Sequence, residues 1–116
     1  MSTANTQQTG ATLAHHLQML GANLDALLSD YTEDSVLFTA NGMFKGLAQI
    51  RAFFDTTLKN TPPAVMAAFT IVRQDVEGET AFIVWKAEPF IPLATDTFVV
   101  HNGKILAQTF VAFTPG

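Results

Sequence analysis

Apolar residues recur at three- and four-residue steps through the first half of the chain and at two-residue steps through the second. Leu13, Leu17 and Leu20 share one face of a helix expected over residues 12–20, which Gly21 ends. Leu24, Leu27, Leu28 and Tyr31 repeat that spacing in a second helix, with Asn23 as its N-cap and Asp25 in its first turn. Glu33-Asp34 breaks the pattern and leads into a short strand over residues 35–39. Asn41-Gly42 then turns the chain so that Met43-Phe44 pairs back as a small hairpin. Gly46 opens a third helix, in which Leu47, Ile50, Phe53, Phe54 and Leu58 line one side while Gln49 and Arg51 point away. Pro62-Pro63 stops it.

From residue 64 the period changes to two. A strand is expected over residues 65–76, a turn at Glu77-Gly78-Glu79, and a second strand over residues 80–88 that carries Trp85. Pro89 and Pro92 cannot donate to a ladder, so the sheet must bend or bulge there. Two last strands flank Asn102-Gly103, a pair that tolerates the positive φ of a type I′ turn. Three helices followed by an antiparallel meander predict an α+β fold, with the helices on the concave face of a curved sheet of four to six antiparallel strands. The convex face is left bare, with Thr97, Val99, Val111 and Phe113 as candidates for it. Residues 1–10 are Ser, Thr, Asn and Gln rich and read as a flexible tail, and residues 11–116 as one domain.

Composition sharpens the partner question. Of 116 residues only 14% are charged, against 48% hydrophobic, well below the roughly 25% charge content of typical soluble domains. A small protein with so little charge is expected to cover part of its surface, and a two-fold homodimer through the convex sheet face is the simplest way. The net charge of −4 and six scattered Lys and Arg exclude a nucleic-acid surface. There is no cysteine, hence no disulfide framework and no thiolate chemistry. The polar start MSTANTQQTG is not a signal peptide, and no run approaches the ~18 apolar residues of a membrane span. A cytoplasmic location and no membrane partner are expected.

Few residues carry chemistry. Asp96 sits among apolar strand residues; facing inward with Phe98 and Val100, it is expected to hold a raised pKa and act as a neutral donor. Otherwise it is a strand-start carboxylate accepting backbone hydrogen bonds. His15 and His16 are adjacent on the first helix; His15 is placed at the edge of the core stripe as a candidate acid or base, and His16 in solvent. Side chains adjacent on a helix point about 100° apart and no third ligand is suitably spaced, so no metal site is expected. Tyr31 closes the stripe of the second helix, its hydroxyl needing a partner or a ligand. Trp85 alternates with Ala81, Ile83 and Ala87, packing the core or flooring a pocket; Gln108 alternates with Phe110 and Ala112 as a polar group on the inner face. Lys86 and Glu88 read as a solvent-side ion pair of little energetic weight.

The segments LDALLSDYTEDSVLF, FKGLAQIRAFF and DTFVVHNGKI, spread over residues 12–113, resemble the SnoaL-like and ketosteroid isomerase-like branch of the nuclear transport factor 2-like superfamily. The resemblance implies a cone-shaped cystatin-like fold with a pocket between helices and sheet. Superfamily members include isomerases, dehydratases, cyclases, epoxide hydrolases and plain binding domains, so it does not fix a reaction. The steroid isomerases use a carboxylate base, a Tyr on the first helix and a protonated sheet Asp. Carried over by spacing, the sheet Asp falls on Asp96, the Tyr on His15 and the base on Thr39, which cannot accept a proton near neutral pH. The expected site is therefore Asp96, His15 and Tyr31, lined by Trp85, Phe98, Phe110, Gln108, Thr39 and Phe54. The expected activity is a cofactor-independent isomerase or lyase, with proton transfer next to a carbonyl. The alternatives are a non-catalytic module for an apolar small ligand, or a dimerisation domain with a filled core.

Overall fold

The computed structural model describes residues 3–114. Helices α1 (Thr3–Met19), α2 (Leu24–Leu28), α3 (Gly46–Lys59) and α4 (Pro63–Ala68) accompany strands β1 (Tyr31–Thr39), β2 (Gly42–Lys45), β3 (Phe69–Glu77), β4 (Thr80–Ala87), β5 (Ile91–His101) and β6 (Lys104–Phe113). The strands form one curved sheet in the order β2-β1-β6-β5-β4-β3, an α+β architecture with the core on the concave side. The hairpin at Asn102-Gly103 forms as the sequence predicts. Both residues have positive φ, 52° and 75°, and His101 pairs with Lys104 across the turn.

The sheet is mixed rather than wholly antiparallel, because β1 lies parallel to β6. One edge of β1 takes its own hairpin partner β2, with Phe38 opposite Met43. The other edge is closed by the last strand of the meander, which arrives running the same way. Pairing there removes two open edges at once.

Four helices stand among the described residues where three were expected. Pro63 does not only stop α3; it occupies the first turn of α4, where a missing N–H costs nothing. The strand expected to start at residue 65 starts at Phe69, because Phe69 pairs with Ala87 at the end of β4 and nothing lies opposite the residues before it. α4 buries no residue.

The first helix also begins earlier than its apolar pattern. Residues 3–10, expected as a tail, are helical; residues 1 and 2 lie outside the described residues. Tertiary hydrogen bonds replace the missing apolar stripe. Thr9 is buried and donates to Gly78 O at 2.7 Å, while Gly78 N donates to Thr6 Oγ1 at 2.9 Å. The β3–β4 turn thus ties down the start of α1.

Tyr31 belongs to β1 and not to the second helix. α2 ends at Leu28, Ser29 caps it, and Ile105 N donates to Asp30 O at 2.7 Å. That bond draws the next residue into the ladder with β6, where Tyr31 pairs with Ile105.

Candidate functional site

Strand alternation turns Ala94, Asp96, Phe98 and Val100 of β5 inward and buries them. In register, Asp96 lies between Ile83 of β4 and Phe110 of β6. Its diagonal neighbours on those strands, Trp85 and Gln108, reach it as such neighbours can. Trp85 Nε1 donates to Asp96 Oδ1 at 2.8 Å, and Gln108 Nε2 donates to Oδ2 at 2.9 Å. Gln108 Oε1 in turn accepts the hydroxyl of Tyr31, and His16 Nδ1 lies 3.5 Å from that hydroxyl oxygen. A buried polar chain thus runs from α1 across β1 and β6 to β5.

This chain borders a cavity of about 140 Å³ between the sheet and α1, α3 and α4. Phe53 and Phe54 of α3, Leu17 and Leu20 of α1, Val65 and Met66 of α4, and Trp85, Phe98 and Phe110 of the sheet supply its apolar walls. Trp85 and Phe110 stack with their rings nearly parallel, 6° apart with centroids at 6.1 Å. His16, Asp96 and Gln108 are the polar groups of the inner wall.

Burial dominates the electrostatics. It raises the Asp96 carboxyl to about 6, against the downward pull of the Trp85 and Gln108 hydrogen bonds. Burial likewise lowers His16 to about 4, with the neighbouring His15 adding to the effect, so the imidazole is neutral at physiological pH. Tyr31 is pushed well above its ordinary value, first by burial and then by the Asp96 and Asp30 carboxylates. The cavity therefore holds a carboxyl that titrates near neutrality and a neutral ring nitrogen base.

Of the residues singled out in the sequence, Asp96, Trp85, Phe98, Phe110, Gln108 and Phe54 line the cavity. Tyr31 is buried behind Gln108 and does not reach the cavity wall. His15 is turned away from it, half exposed, with Nδ1 2.7 Å from Asp30 Oδ2. Thr39 lies in the β1–β2 turn, where its hydroxyl donates to Gly42 O and accepts from Asn41 N. It cannot stand in for a pocket base at all.

His16, expected in solvent, is 2% exposed and packs edge-on against Phe98 at 5.2 Å. The helical period held the signal. At about 100° per residue, His16 falls roughly 60° from Leu13, and His15 about 160° from it on the far side. The buried run Thr9, Thr12, Leu13 and His16 follows that face.

Among the described residues no group of three or more His, Cys, Asp or Glu is placed to hold a metal ion, and no helix is long and apolar enough to cross a membrane.

The helices close the concave side of a curved mixed sheet over a cavity with one buried carboxyl on its wall. The sequence matches the family model of the SnoaL-like domain over residues 14–108, and the chain belongs to that family. Solved structures agree on the fold. A candidate ketosteroid isomerase from Kribbella flavida superposes with a TM-score of 0.71 at 15% identity, covering 95% of this chain and 81% of that one. A candidate polyketide cyclase from Sinorhizobium meliloti gives 0.70 at 18% identity, with 86% and 93% covered. A protein of unknown function with a cystatin-like fold from Nostoc punctiforme gives 0.68 at 13% identity, with 97% and 94% covered. No functionally curated protein matches the sequence.

Proposed function

We propose that this chain is a small-molecule pocket protein whose activity is cofactor-independent proton transfer next to a carbonyl. The observation that carries the proposal is Asp96: a carboxyl buried on the wall of a mostly apolar cavity and titrating near 6. A group poised there can give or take a proton at physiological pH, which is what acid–base catalysis asks of it. The cavity size limits the ligand. An apolar cavity of about 150 Å³ takes a benzene-sized molecule, so 140 Å³ accommodates one ring within its walls. An isomerase or lyase acting on a monocyclic carbonyl compound fits; a steroid isomerase lacks its base, since Thr39 lies in the β1–β2 turn. The candidate ketosteroid isomerase and candidate polyketide cyclase among its structural neighbours keep isomerase and cyclase chemistry in view, at the level of fold alone.

A second reading is favoured by one observation. Both Asp96 oxygens already accept hydrogen bonds from Trp85 and Gln108, the arrangement of a fixed polar anchor in a non-catalytic binding module. Exchange of α-protons in D₂O separates the two. With a panel of cyclic ketones, an enzyme exchanges them, and Asp96→Asn reduces the rate by about 10²- to 10⁴-fold. Binding without exchange supports the binding module. Absence of binding across the panel overturns both. We also propose that the convex sheet face pairs two copies of the chain, since its apolar residues are left uncovered by any helix.

A further inference from the structure

His16 is the cavity group that acid–base chemistry at Asp96 leaves unused. Its Nδ1 faces the Tyr31 hydroxyl, and its Nε2 bonds nothing in the protein among the described residues. No buried side-chain nitrogen or oxygen among those residues lacks a partner, so Nε2 is not sealed in; the surface it keeps is on the cavity that His16 lines.

The direction of the polar chain favours one nitrogen of this imidazole for the proton. An ionised Asp96 can only accept, so Gln108 turns its amide N–H₂ toward it. That leaves Gln108 Oε1 to accept from Tyr31. Tyr31 has one proton and has given it to Gln108, so its oxygen can only accept from His16 Nδ1–H. Nε2 is then the unprotonated nitrogen. Every link donates toward Asp96, and the end exposed to the cavity is a bare acceptor. Its lowered affinity for protons keeps it bare at neutral pH.

We infer that His16 sets which ring ligands the cavity prefers: Nε2 accepts a hydrogen bond from a ligand hydroxyl, so among monocyclic compounds, carbonyl compounds included, those that carry a hydroxyl are held more tightly than those without a donor, and Asp96 holds that polarity through Gln108 and Tyr31. The inference rests on the pocket reading above and deepens it. Replacing Asp96 by Asn reverses the chain. The Asn amide donates to Gln108 Oε1, Gln108 N–H donates to Tyr31, Tyr31 donates to His16 Nδ1, and Nε2 must carry the proton. The titratable groups around His16 are His15 on its own helix, Tyr31 on β1 and, through Gln108, Asp96 on β5. From α3 it meets the uncharged ring of Phe54.

The test needs no natural ligand. Long-range ¹H–¹⁵N correlation of the free wild-type protein at pH 8 is expected to show His16 as the Nδ1–H form, and Asp96→Asn as the Nε2–H form. A wild-type Nε2–H form, or an unchanged form in Asp96→Asn, overturns the inference without bearing on the pocket. Phenol and toluene then serve as ring-matched probes. Phenol is expected to bind about three- to tenfold more tightly, the worth of one net hydrogen bond, and to move the His16 Nε2 resonance. In His16→Phe the preference is expected to vanish while toluene still binds. Equal binding of the two probes by the wild type removes donor selection and leaves the pocket reading standing; binding of neither removes both. Should His16→Phe fail to fold, the wild-type tautomer and the Nε2 response to phenol decide alone.

Discussion

The two faces of β5 differ in a way that ordinary burial does not explain. Its inward residues, Ala94, Asp96, Phe98 and Val100, are covered by helices and include the carboxyl on which the polar chain converges. Its outward residues Leu93 and Val99 are exposed, as are Val111 and Phe113 on β6, at 38–60%. Antiparallel sheets usually keep polar groups outside and apolar groups inside. Here a buried polar chain crosses the covered face while the bare face is Val, Thr and Phe. Each inversion costs stability in an isolated monomer, since buried polar groups need partners and exposed apolar ones remain hydrated. The proposed ligand would meet the concave face and the proposed second copy the convex one.

Deleting the same side chain on each face tests the contrast most strongly. Phe98 is 1% exposed and Phe113 60%. Phe98→Ala is expected to cost about 3–5 kcal/mol, the transfer and cavity terms of a buried aromatic. Phe113→Ala is expected to cost less than about 1 kcal/mol in the monomer. Denaturant unfolding at submicromolar protein measures both, and similar losses would mean that the convex face is covered within one chain.

The covered face also makes an unusual demand on pH dependence. Asp96 has its folded pKa raised from 3.8 to about 6, so its contribution is fully present below the unfolded value and is lost as pH rises through about 6. His16 has its folded pKa lowered from 6.5 to about 4, so its contribution is present above the unfolded value and is lost as pH falls through about 4. Each shift spans about two pH units at roughly 1.4 kcal/mol per unit, or about 3 kcal/mol. The windows overlap and the signs are opposite, so the two nearly cancel in the wild type. Between pH 7 and 4, Asp96→Asn is expected to lose about 3 kcal/mol from His16 alone, and His16→Phe to gain about as much from Asp96 alone. Unfolding free energies at several pH values check this; parallel profiles in both variants would show that the groups do not oppose one another.

How far the sequence carried the fold and the site follows from what each element depends on. The Asn102-Gly103 hairpin was legible because turn chemistry is local. So was the inward set of Asp96, Phe98, Trp85 and Gln108, because strand alternation has a rigid period of two. The parallel pairing of β1 with β6 was not, since sheet closure is decided by which edges remain open once the whole chain is placed. Tyr31 was drawn from helix to strand by a single ladder bond, and residues 3–10 were made helical by hydrogen bonds to Gly78, far away in sequence. His16 is the instructive miss. Its position relative to Leu13 follows from the helical period, but the stripe drawn through Leu13 and Leu17 sets His15 at its edge, whereas the buried face turns the other way through Thr9, Thr12 and Leu13 to His16.

On the convex side, Val99→Lys is expected to weaken self-association about tenfold or more, because a two-fold interface brings the new charge against its own copy. Analytical ultracentrifugation across the micromolar range measures it. A wild type that sediments as a monomer at those concentrations removes the proposed pairing, and the exposed Val and Phe residues then need another partner.

The smallest expected effect separates the two adjacent histidines. His15 pairs with Asp30 at 2.7 Å, but its side chain is 40% exposed, and such pairs contribute about 0–1 kcal/mol. His15→Gln keeps the helix and a hydrogen-bonding group, so the stability loss is expected to stay below about 1 kcal/mol. His16 should also lose the electrostatic part of its depression, because the positive charge of a protonated His15 is one of the two causes that hold its pKa down. Burial is the larger cause and is untouched. The His16 titration in His15→Gln is therefore expected to move upward by less than it would need to return to 6.5, leaving the imidazole neutral at pH 7. An NMR titration of the His16 ring follows this directly. A return to the ordinary histidine value would show that His15, and not the covered concave face, keeps His16 uncharged, and the contrast between the two faces would lose its electrostatic half.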